Sequence, residues 1–268
     1  MIAAEVSVQC WKERCNFPSR IQDATDTDAC LILSRKCRIA LEFVMVIKLS
    51  YNLSESTPFY SELPGPRLDR LYDLAKGDGC NSFYLTTSNH AGTHVDGPFH
   101  FNPRGRKISE YDMSELIFTK MAVMDVRVSP DELILPAHLE TSSACRKDCD
   151  LLIVRSGFGK YRADTKMYVD HSPGFSRAAA DFLMRQFPDL KALAVDFISV
   201  AAMSHTEEGC EAHRVFLGCD EYSSRPILLI EDINLPNELP ELDKVYVVPW
   251  FFDGLDSAPC VIFAECCD

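Results

Sequence analysis

The residues best suited to chemistry lie in one short run of the sequence. His90, His94, Asp96 and His100 fall within eleven residues. Three of the seven histidines of the 268-residue chain are thus concentrated in this run. Imidazole and carboxylate groups are common protein ligands of zinc and similar ions, and catalytic sites typically keep three protein ligands and an open position for water. The run therefore predicts a site for a divalent metal, with His90, His94 and Asp96 as ligands.

The spacing of these residues favours an extended or turning backbone over a helix. All four have even numbers, so in an extended chain their side chains project to the same side. A helix would also bring His90 and His94 together, but Gly92, Thr93 and Pro98 oppose a helix. The same glycine and proline interrupt a strand and allow the backbone to fold the four groups inward.

A metal at this position would supply hydrolytic chemistry. A divalent ion lowers the pKa of a bound water from about 16 to near 7, which gives a nucleophile without serine or cysteine. His100 would then serve as general base or proton shuttle, since imidazole ordinarily titrates near pH ~6.5. Two alternatives are loop histidines held by ordinary hydrogen bonds and a structural metal site. Structural zinc prefers four ligands rich in cysteine, and this run has none.

The composition restricts the kinds of partner. The formal net charge is −13 and the pI about 5.0, which argues against nucleic acid and anionic membrane surfaces as partners. No segment approaches the roughly 18 apolar residues of a membrane helix. The N-terminus lacks a basic segment followed by an apolar one. We therefore expect a cytoplasmic protein that acts on small molecules.

The elements that must position the site are mostly strands. Apolar, β-branched runs predict them, and the first is expected to be buried. Apolar positions at helical spacing predict two helices, one ended by Gly77 and one begun by Ser176 as its N-cap. The predicted strands are 42–49, 81–89, 121–126, 151–154, 193–198, 227–230 and 245–248, and the predicted helices are 67–76 and 176–187.

This order of elements predicts an α/β fold, in which a single domain has a mixed β-sheet or barrel-like core flanked by helices. We assign residues 42–268 to this domain. Residues 1–41 show neither helical nor strand periodicity, so we expect a poorly ordered N-terminal extension. Phe59, Tyr60, Phe99 and Phe101 lie close to the turns around the site and are candidates for an aromatic pocket.

The run 90–101 resembles the signature of the metal-dependent cyclase-like hydrolase family, which includes bacterial-type kynurenine formamidase and isatin hydrolase. Segments 47–58, 151–159, 211–218 and 228–235 resemble further segments of that family in the same order. The likeness covers roughly residues 45–264. It implies the family's swivelling β/α fold, a homodimer, and one or two zinc or manganese ions.

The resemblance also implies roles that the residues alone do not reveal. His213 and Glu231 would complete a second metal position, bridged to the first through Asp96. The substrate would be an aryl formamide such as N-formyl-L-kynurenine, or a cyclic amide such as isatin that is opened by the same chemistry. This chain departs from the family in a longer connection at 219–226. A non-catalytic metal-binding protein of the same fold is the competing hypothesis.

Overall fold

Nine strands of the protein form one mixed sheet, seen in a computed structural model that describes residues 44–60, 65–140 and 146–267. Two further pairs of strands, Arg67–Tyr72 with Ser82–Thr86 and Leu133–Ile134 with Gly174–Phe175, form small separate sheets. The predicted extension at 1–41 lies outside the described residues and stays a prediction. Among the described residues, no helix is both long enough and apolar enough to cross a membrane.

The described elements comprise thirteen strands and four α-helices. The strands are β1 Met45–Lys48, β2 Arg67–Tyr72, β3 Ser82–Thr86, β4 His94–Asp96, β5 Ile117–Phe118, β6 Met121–Asp125, β7 Leu133–Ile134, β8 Leu151–Arg155, β9 Gly174–Phe175, β10 Ala192–Val195, β11 Leu228–Glu231, β12 Leu242–Pro249 and β13 Ser257–Cys266. The helices are α1 Pro136–Glu140, α2 Thr165–Asp170, α3 Arg177–Gln186 and α4 Thr206–Phe216.

The two edge strands of the large sheet follow one another in the sequence, so the sheet must curve to bring its edges together. The strand order is β5-β12-β13-β4-β11-β10-β8-β6, and β1 also pairs with β13. Only Thr119 and Lys120 separate the terminal strands β5 and β6, so the two edges cannot lie far apart. The Asp150 carboxylate accepts hydrogen bonds from both intervening backbone N–H groups, at 3.2 and 2.9 Å. The predicted α/β fold is confirmed as a mixed sheet nearly closed into a barrel.

Both faces of the parallel part of the sheet are buried, because its side chains alternate between two cores. In β8, Leu152 and Val154 pack towards the helices, whereas Leu151 and Ile153 join a core built mainly from strand residues. Full burial of such a side chain contributes about 1.5–3 kcal/mol. The continuous apolar runs that predicted these strands are therefore typical of strands covered on both sides.

A strand of only three residues, in the interior of the large sheet, carries the middle of the predicted metal-site motif. β4 lies between β11 and β13 and is antiparallel to both, with His94 opposite Glu231 on one side and Pro259 on the other. All three of its residues are buried. The central position of β4 therefore brings the predicted upstream and downstream ligands together across one strand pair.

The predicted helix at 67–76 is wrong. The segment forms β2, which pairs with β3, followed by a 3-10 turn at Leu74–Lys76. Its apolar spacing suits a helix, but pairing with the aromatic strand β3 overrides that weak local preference. Gly77 does end the turn, with a left-handed φ of 94°.

The first predicted strand is present as β1, but its predicted burial is wrong. Met45 and Val46 are 48% and 58% exposed, because β1 pairs with β13 alone and lies at the margin of the sheet. The other predicted strands and the helix at 176–187 are confirmed. Ser176 caps α3 by accepting a hydrogen bond from the backbone N–H of Ala179.

Candidate metal centre

The motif 90–100 reaches one point in space through a turn, a strand and a short helix. His94 and Asp96 project from β4, while His100 ends the 3-10 turn Pro98–His100. Gly92 adopts a left-handed φ of 64°, which permits the sharp turn before the strand. The backbone is thus extended only at the centre of the motif, and the predicted convergence of its four polar groups is achieved by the flanking turns.

The two downstream residues implied by the resemblance also reach this point. Glu231 ends β11 beside β4, and His213 projects from α4. His213 Nε2 lies 3.5 Å from Glu231 Oε1, and His94 Nε2 lies 3.3 Å from Glu231 Oε2. The longer connection at 219–226 therefore does not separate the two residues.

Asp96 lies at the middle of the cluster. Its Oδ1 atom is 3.1 Å from His90 Nδ1 and 3.5 Å from His94 Nε2. One potential ligand atom from each of these three residues lies within 4.8 Å of the others, and the same holds for Asp96, His100 and His213. The structure therefore brings every predicted site residue into one cluster; their roles as ligands or base remain predictions.

The hydrogen bonds of two histidines test whether a cation fits this cluster. Nδ1 of His94 lies 2.8 Å from the carbonyl oxygen of Gly92, and Nδ1 of His213 lies 2.8 Å from that of Gly209. A carbonyl only accepts, so each Nδ1 carries a proton and donates it. Metal-binding histidines usually donate the N–H of their other ring nitrogen in this way, which fixes the ring and leaves the first nitrogen free to bind. They leave both Nε2 atoms as acceptors in the neutral rings.

The Nε2 atoms of His94 and His213 face carboxylate oxygens, which are also hydrogen-bond acceptors. His94 Nε2 and Asp96 Oδ1 are buried and have no hydrogen-bond partner among the described residues. Buried polar atoms are rarely left in this state, because each costs about 1–3 kcal/mol. Positive charge placed between these atoms, as protons or as a cation, removes the conflict. The donor set of imidazoles and carboxylates therefore fits a divalent metal.

The electrostatics of the cluster lead to the same conclusion. Burial lowers the pKa of His90, but the charges and hydrogen bonds of Asp96 and Asp256 outweigh burial and raise it to about 10. Burial raises the pKa of Glu231, but the His213 and His94 rings, which donate hydrogen bonds to it when they are protonated, outweigh burial and lower it to about 2. Burial also raises the pKa of Asp96, but the charges of His90 and His94 outweigh burial and lower it. Asp96 and Glu231 are therefore charged at neutral pH and stabilise positive charge beside them.

Asp256 is a member of the cluster that the sequence did not indicate. Its Oδ2 atom lies 2.7 Å from His100 Nδ1 and 3.2 Å from His90 Nε2. Burial raises the pKa of Asp256, but these two hydrogen bonds outweigh burial and hold the pKa well below its usual range. Asp256 directly precedes β13, and only the pairing of that strand with β4 brings it to the motif. No local sequence signal could have found it.

A second buried charge network holds the two ligand-bearing strands together. The Asp232 carboxylate accepts hydrogen bonds from the Arg162 guanidinium, at 2.7 and 2.8 Å, and from the Tyr168 hydroxyl at 2.7 Å. Thr93 Oγ1 donates to the backbone carbonyl of Asp232 at 2.6 Å. Thr93 precedes His94 and Asp232 follows Glu231, so this network fixes the spacing of the two candidate ligands.

A cavity of about 290 Å³ opens beside the cluster. Phe59, Tyr60 and Phe101 line it together with His100. Phe101 also stacks on His213, with ring centroids 4.9 Å apart. Three of the four aromatic candidates therefore lie at the pocket, whereas Phe99 does not line it. The cavity combines an apolar wall with a small set of polar groups, as ligand sites usually do.

Fold and site together define an α/β protein whose nearly closed mixed sheet presents a buried histidine–carboxylate centre to an aromatic pocket. A family model described as "Putative cyclase" matches residues 47–202. Since this match spans more than half of the chain, the protein belongs to the cyclase family.

Similar proteins agree with this assignment. The chain is 28% identical over 212 residues to kynurenine formamidase of Bacillus cereus, covering 76% of this chain and 85% of that protein. It is 24% identical over 196 residues to cyclase-like protein 3 of Oryza sativa subsp. japonica, covering 70% and 68%. A solved isatin hydrolase, bound to the product analogue thioisatinate, superposes with a TM-score of 0.70 at 16% identity, over 89% of this chain and 98% of that one. At that identity the likeness concerns the fold.

Proposed function

We propose that this protein is a metal-dependent hydrolase that cleaves the carbon–nitrogen bond of an aryl formamide such as N-formyl-L-kynurenine. Family membership and the similarity to kynurenine formamidases support a hydrolase, and the formamide is the finer part of the proposal. The products are formate and an aryl amine, here kynurenine, in tryptophan catabolism. The observation that carries the proposal is the cluster of facing acceptors at the floor of an aromatic-lined cavity.

The residues that would hold the metal follow from the acceptor geometry. His90, His94 and Asp96 form the first position, and His213 and Glu231 form a second that shares Asp96. Zinc or manganese suits these nitrogen and oxygen donors. When bound, such an ion polarises a carbonyl group and lowers the pKa of water, so that hydroxide is available near neutral pH.

His100 is placed to move the proton. Its Nδ1 is held by Asp256, which leaves Nε2 to face the cavity that His100 lines. In the proposed reaction, Nε2 accepts the proton of the attacking water as the bond to the formyl carbon forms. As the carbon–nitrogen bond breaks, the same proton passes to the departing amine nitrogen.

The aromatic wall accounts for the aryl part of the substrate. Phe59, Tyr60 and Phe101 offer flat apolar surfaces within the same cavity as the acceptor cluster. Stacked or edge-to-face ring contacts add about 0.5–1.5 kcal/mol each beyond the burial of apolar area. A small amide-bearing aromatic ring can therefore contact this wall while its amide group lies at the cluster.

The test is a substrate panel on zinc-loaded and manganese-loaded protein. We expect formate release from N-formyl-L-kynurenine, and isatin in the same panel reports the competing ring-opening activity. His100→Ala should lower kcat by about 10²–10⁴-fold, because it removes general acid–base catalysis. Its metal content should stay unchanged.

His171→Ala provides the matched control, since His171 pairs with Asp131 and does not line the cavity. It should leave kcat within twofold of the wild type. Full activity in His100→Ala would contradict the role of His100. Stoichiometric metal with no product from any amide in the panel would favour the non-catalytic metal-binding protein instead.

A further inference from the structure

Three hydrogen-bond donors converge on the carboxylate of Asp256. Its Oδ2 atom lies 2.7 Å from His100 Nδ1 and 3.2 Å from His90 Nε2. Its other oxygen, Oδ1, accepts a hydrogen bond of 2.8 Å from the side-chain amide of Asn89. One oxygen thus contacts two histidines of the motif, and the second oxygen is occupied by the residue that precedes the motif.

The backbone around Asp256 is also fixed to the motif. The N–H of Gly97 donates to the Asp256 carbonyl at 2.8 Å, and the N–H of Ile108 donates to the Leu255 carbonyl at 3.1 Å. The hydroxyl of Ser257 donates to the Asn89 carbonyl at 3.3 Å. The carboxylate therefore has little freedom to leave the two imidazoles.

These contacts decide which nitrogen of each ring carries the proton. A carboxylate only accepts, so the two nitrogens that face Asp256 are both N–H groups. The neutral His90 ring then has its lone pair at Nδ1, the atom that lies 3.1 Å from Asp96 Oδ1. The neutral His100 ring has its lone pair at Nε2. Each lone pair is thereby left where the metal centre or the cavity can use it.

We propose that Asp256 is a positioning residue that sets the tautomers of His90 and His100 through one shared oxygen, so that cation binding and proton transfer depend on the same atom. The proton-transfer half rests on the proposed function. The cation half does not, because it requires His90 to bind a metal and requires no particular substrate.

The first experiment needs no variant. Nitrogen-15 NMR of histidine-labelled, zinc-loaded protein distinguishes Nδ1–H from Nε2–H rings. We expect His90 to be protonated at Nε2 and His100 at Nδ1. The opposite tautomer in both rings would overturn the proposal.

The second experiment removes the acceptor oxygens of the carboxylate. Asp256→Leu leaves both imidazole N–H groups and the Asn89 amide without this acceptor. We expect zinc affinity, measured by competition with a chromogenic chelator, to fall about 10–100-fold. We expect kcat to fall about 10²–10⁴-fold with little change in KM. The control Asp253→Asn changes an exposed carboxylate in the same loop and should alter neither value by more than twofold.

A compensating variant separates positioning from general damage. When Asn89→Asp is combined with Asp256→Asn, the new carboxylate accepts from the new amide nitrogen, and the amide oxygen is left facing both imidazoles. We expect the wild-type NMR tautomers to return and most of the zinc affinity to recover. Because this pairing keeps an acceptor oxygen on both imidazoles, it also serves if Asp256→Leu fails to fold.

Two outcomes would contradict the proposal. Unchanged tautomers and zinc affinity in folded Asp256→Leu would show that Asp256 does not position the rings. Loss of one of two bound zinc ions in that variant would make Asp256 a ligand of a site formed with His90 and His100, whose potential ligand atoms also lie within 4.8 Å of one another. Failure of formamide hydrolysis, with the expected tautomers and zinc affinities, would overturn only the proposed function.

Discussion

At the scale of single residues, the cluster stabilises positive charge either as extra protons on its histidine rings or as a metal cation. The carboxylates of Asp96 and Glu231 raise the pKa values of His94 and His213 although burial lowers them, and the pKa of His90 is raised to about 10. Without a cation, the His90 ring therefore holds an extra proton at neutral pH, and the rings of His94 and His213 keep theirs to a higher pH than free imidazole does. A metal must displace those protons before it binds, because histidine binds metals as the neutral ring.

The first prediction is that zinc binding releases protons. A raised pKa means that the proton is bound below that pKa and lost above it, so apparent zinc affinity should increase as the pH rises from 6 to 8. Titration calorimetry in buffers with different ionisation enthalpies measures the number of protons released. Binding heats that are identical in phosphate and Tris would contradict the prediction.

The second prediction concerns the Arg162–Asp232 pair. Asp232 is 1% exposed and Arg162 15% exposed at its side chain, so Arg162→Met leaves a buried carboxylate without its cation. We expect the free energy of unfolding to fall by about 3 kcal/mol in urea denaturation. The control Arg155→Met should cost about 0–1 kcal/mol, because its partner Asp125 is largely exposed. Equal losses in the two variants would show that burial of the pair has no effect.

The sequence indicated the candidate ligands of the cluster but not Asp256, which contacts two of its histidines. His90, His94, Asp96 and His100 are close in sequence and of metal-binding types, so their spacing alone indicated a site. Asp256 is 166 residues from His90. A lone aspartate at the start of a strand carries no mark of that contact, since the contact depends on which strands pair.

At the scale of elements, α4 approaches its neighbouring loop through a glycine. A Cβ atom added to Gly209 would lie 2.4 Å from Cα of Ala201, closer than any packed side chain allows. The carbonyl of Gly209 also accepts the Nδ1 proton of His213. The lack of a side chain at Gly209 therefore sets the distance of the helix from the loop at Ala201, and the carbonyl of Gly209 sets the tautomer of His213, a candidate ligand.

The third prediction is that Gly209→Ala destabilises the protein although alanine favours helices. Helix propensity alone would stabilise α4 by about 1 kcal/mol, but the clash with backbone should cost about 1–3 kcal/mol as overpacking. We expect a lower Tm and weaker zinc binding. Gly79→Ala, at a position with open space around it, should change neither value. A raised Tm in Gly209→Ala would show that α4 can move away from Ala201 at little cost.

Elements were predictable where local pattern and tertiary burial agree. The helix α3 has a capping serine and an apolar face, and β8 and β10 are continuous apolar runs, so all three were found. The segment 67–76 was misassigned because its apolar spacing suits a helix, whereas its strand exists through pairing with β3. That pairing is a tertiary property of the hairpin, which no local window contains.

At the scale of the whole molecule, the β2–β3 hairpin is an exposed apolar arm. Leu71, Tyr72 and Tyr84 are all more than half exposed, and isolated two-stranded hairpins are marginally stable in water. Large exposed apolar patches generally mark interaction surfaces. This arm is the surface on which we expect the homodimer implied by the family resemblance to form.

The fourth prediction is that charge on this arm disrupts the dimer. Size-exclusion chromatography with light scattering should give the mass of two chains for the wild type and of one chain for Leu71→Glu combined with Tyr84→Glu. The zinc content per chain should be unchanged. Lys76→Glu, a polar substitution on the same arm, should leave the dimer intact. A monomeric wild type would contradict the expected homodimer, and a dimeric double variant would place the interface elsewhere.

The central position of β4 sets an order of events during protein synthesis. Its partners lie in β11 and β13, and 166 residues separate His90 from Asp256. At typical rates of about 5–20 residues per second, the ribosome needs roughly 8–33 s to make that interval. Until β13 emerges, the nascent ligand run has neither its second strand neighbour nor Asp256. On the proposed role of Asp256, a metal therefore binds at full affinity only after the sheet is complete, and it cannot guide the early steps of folding.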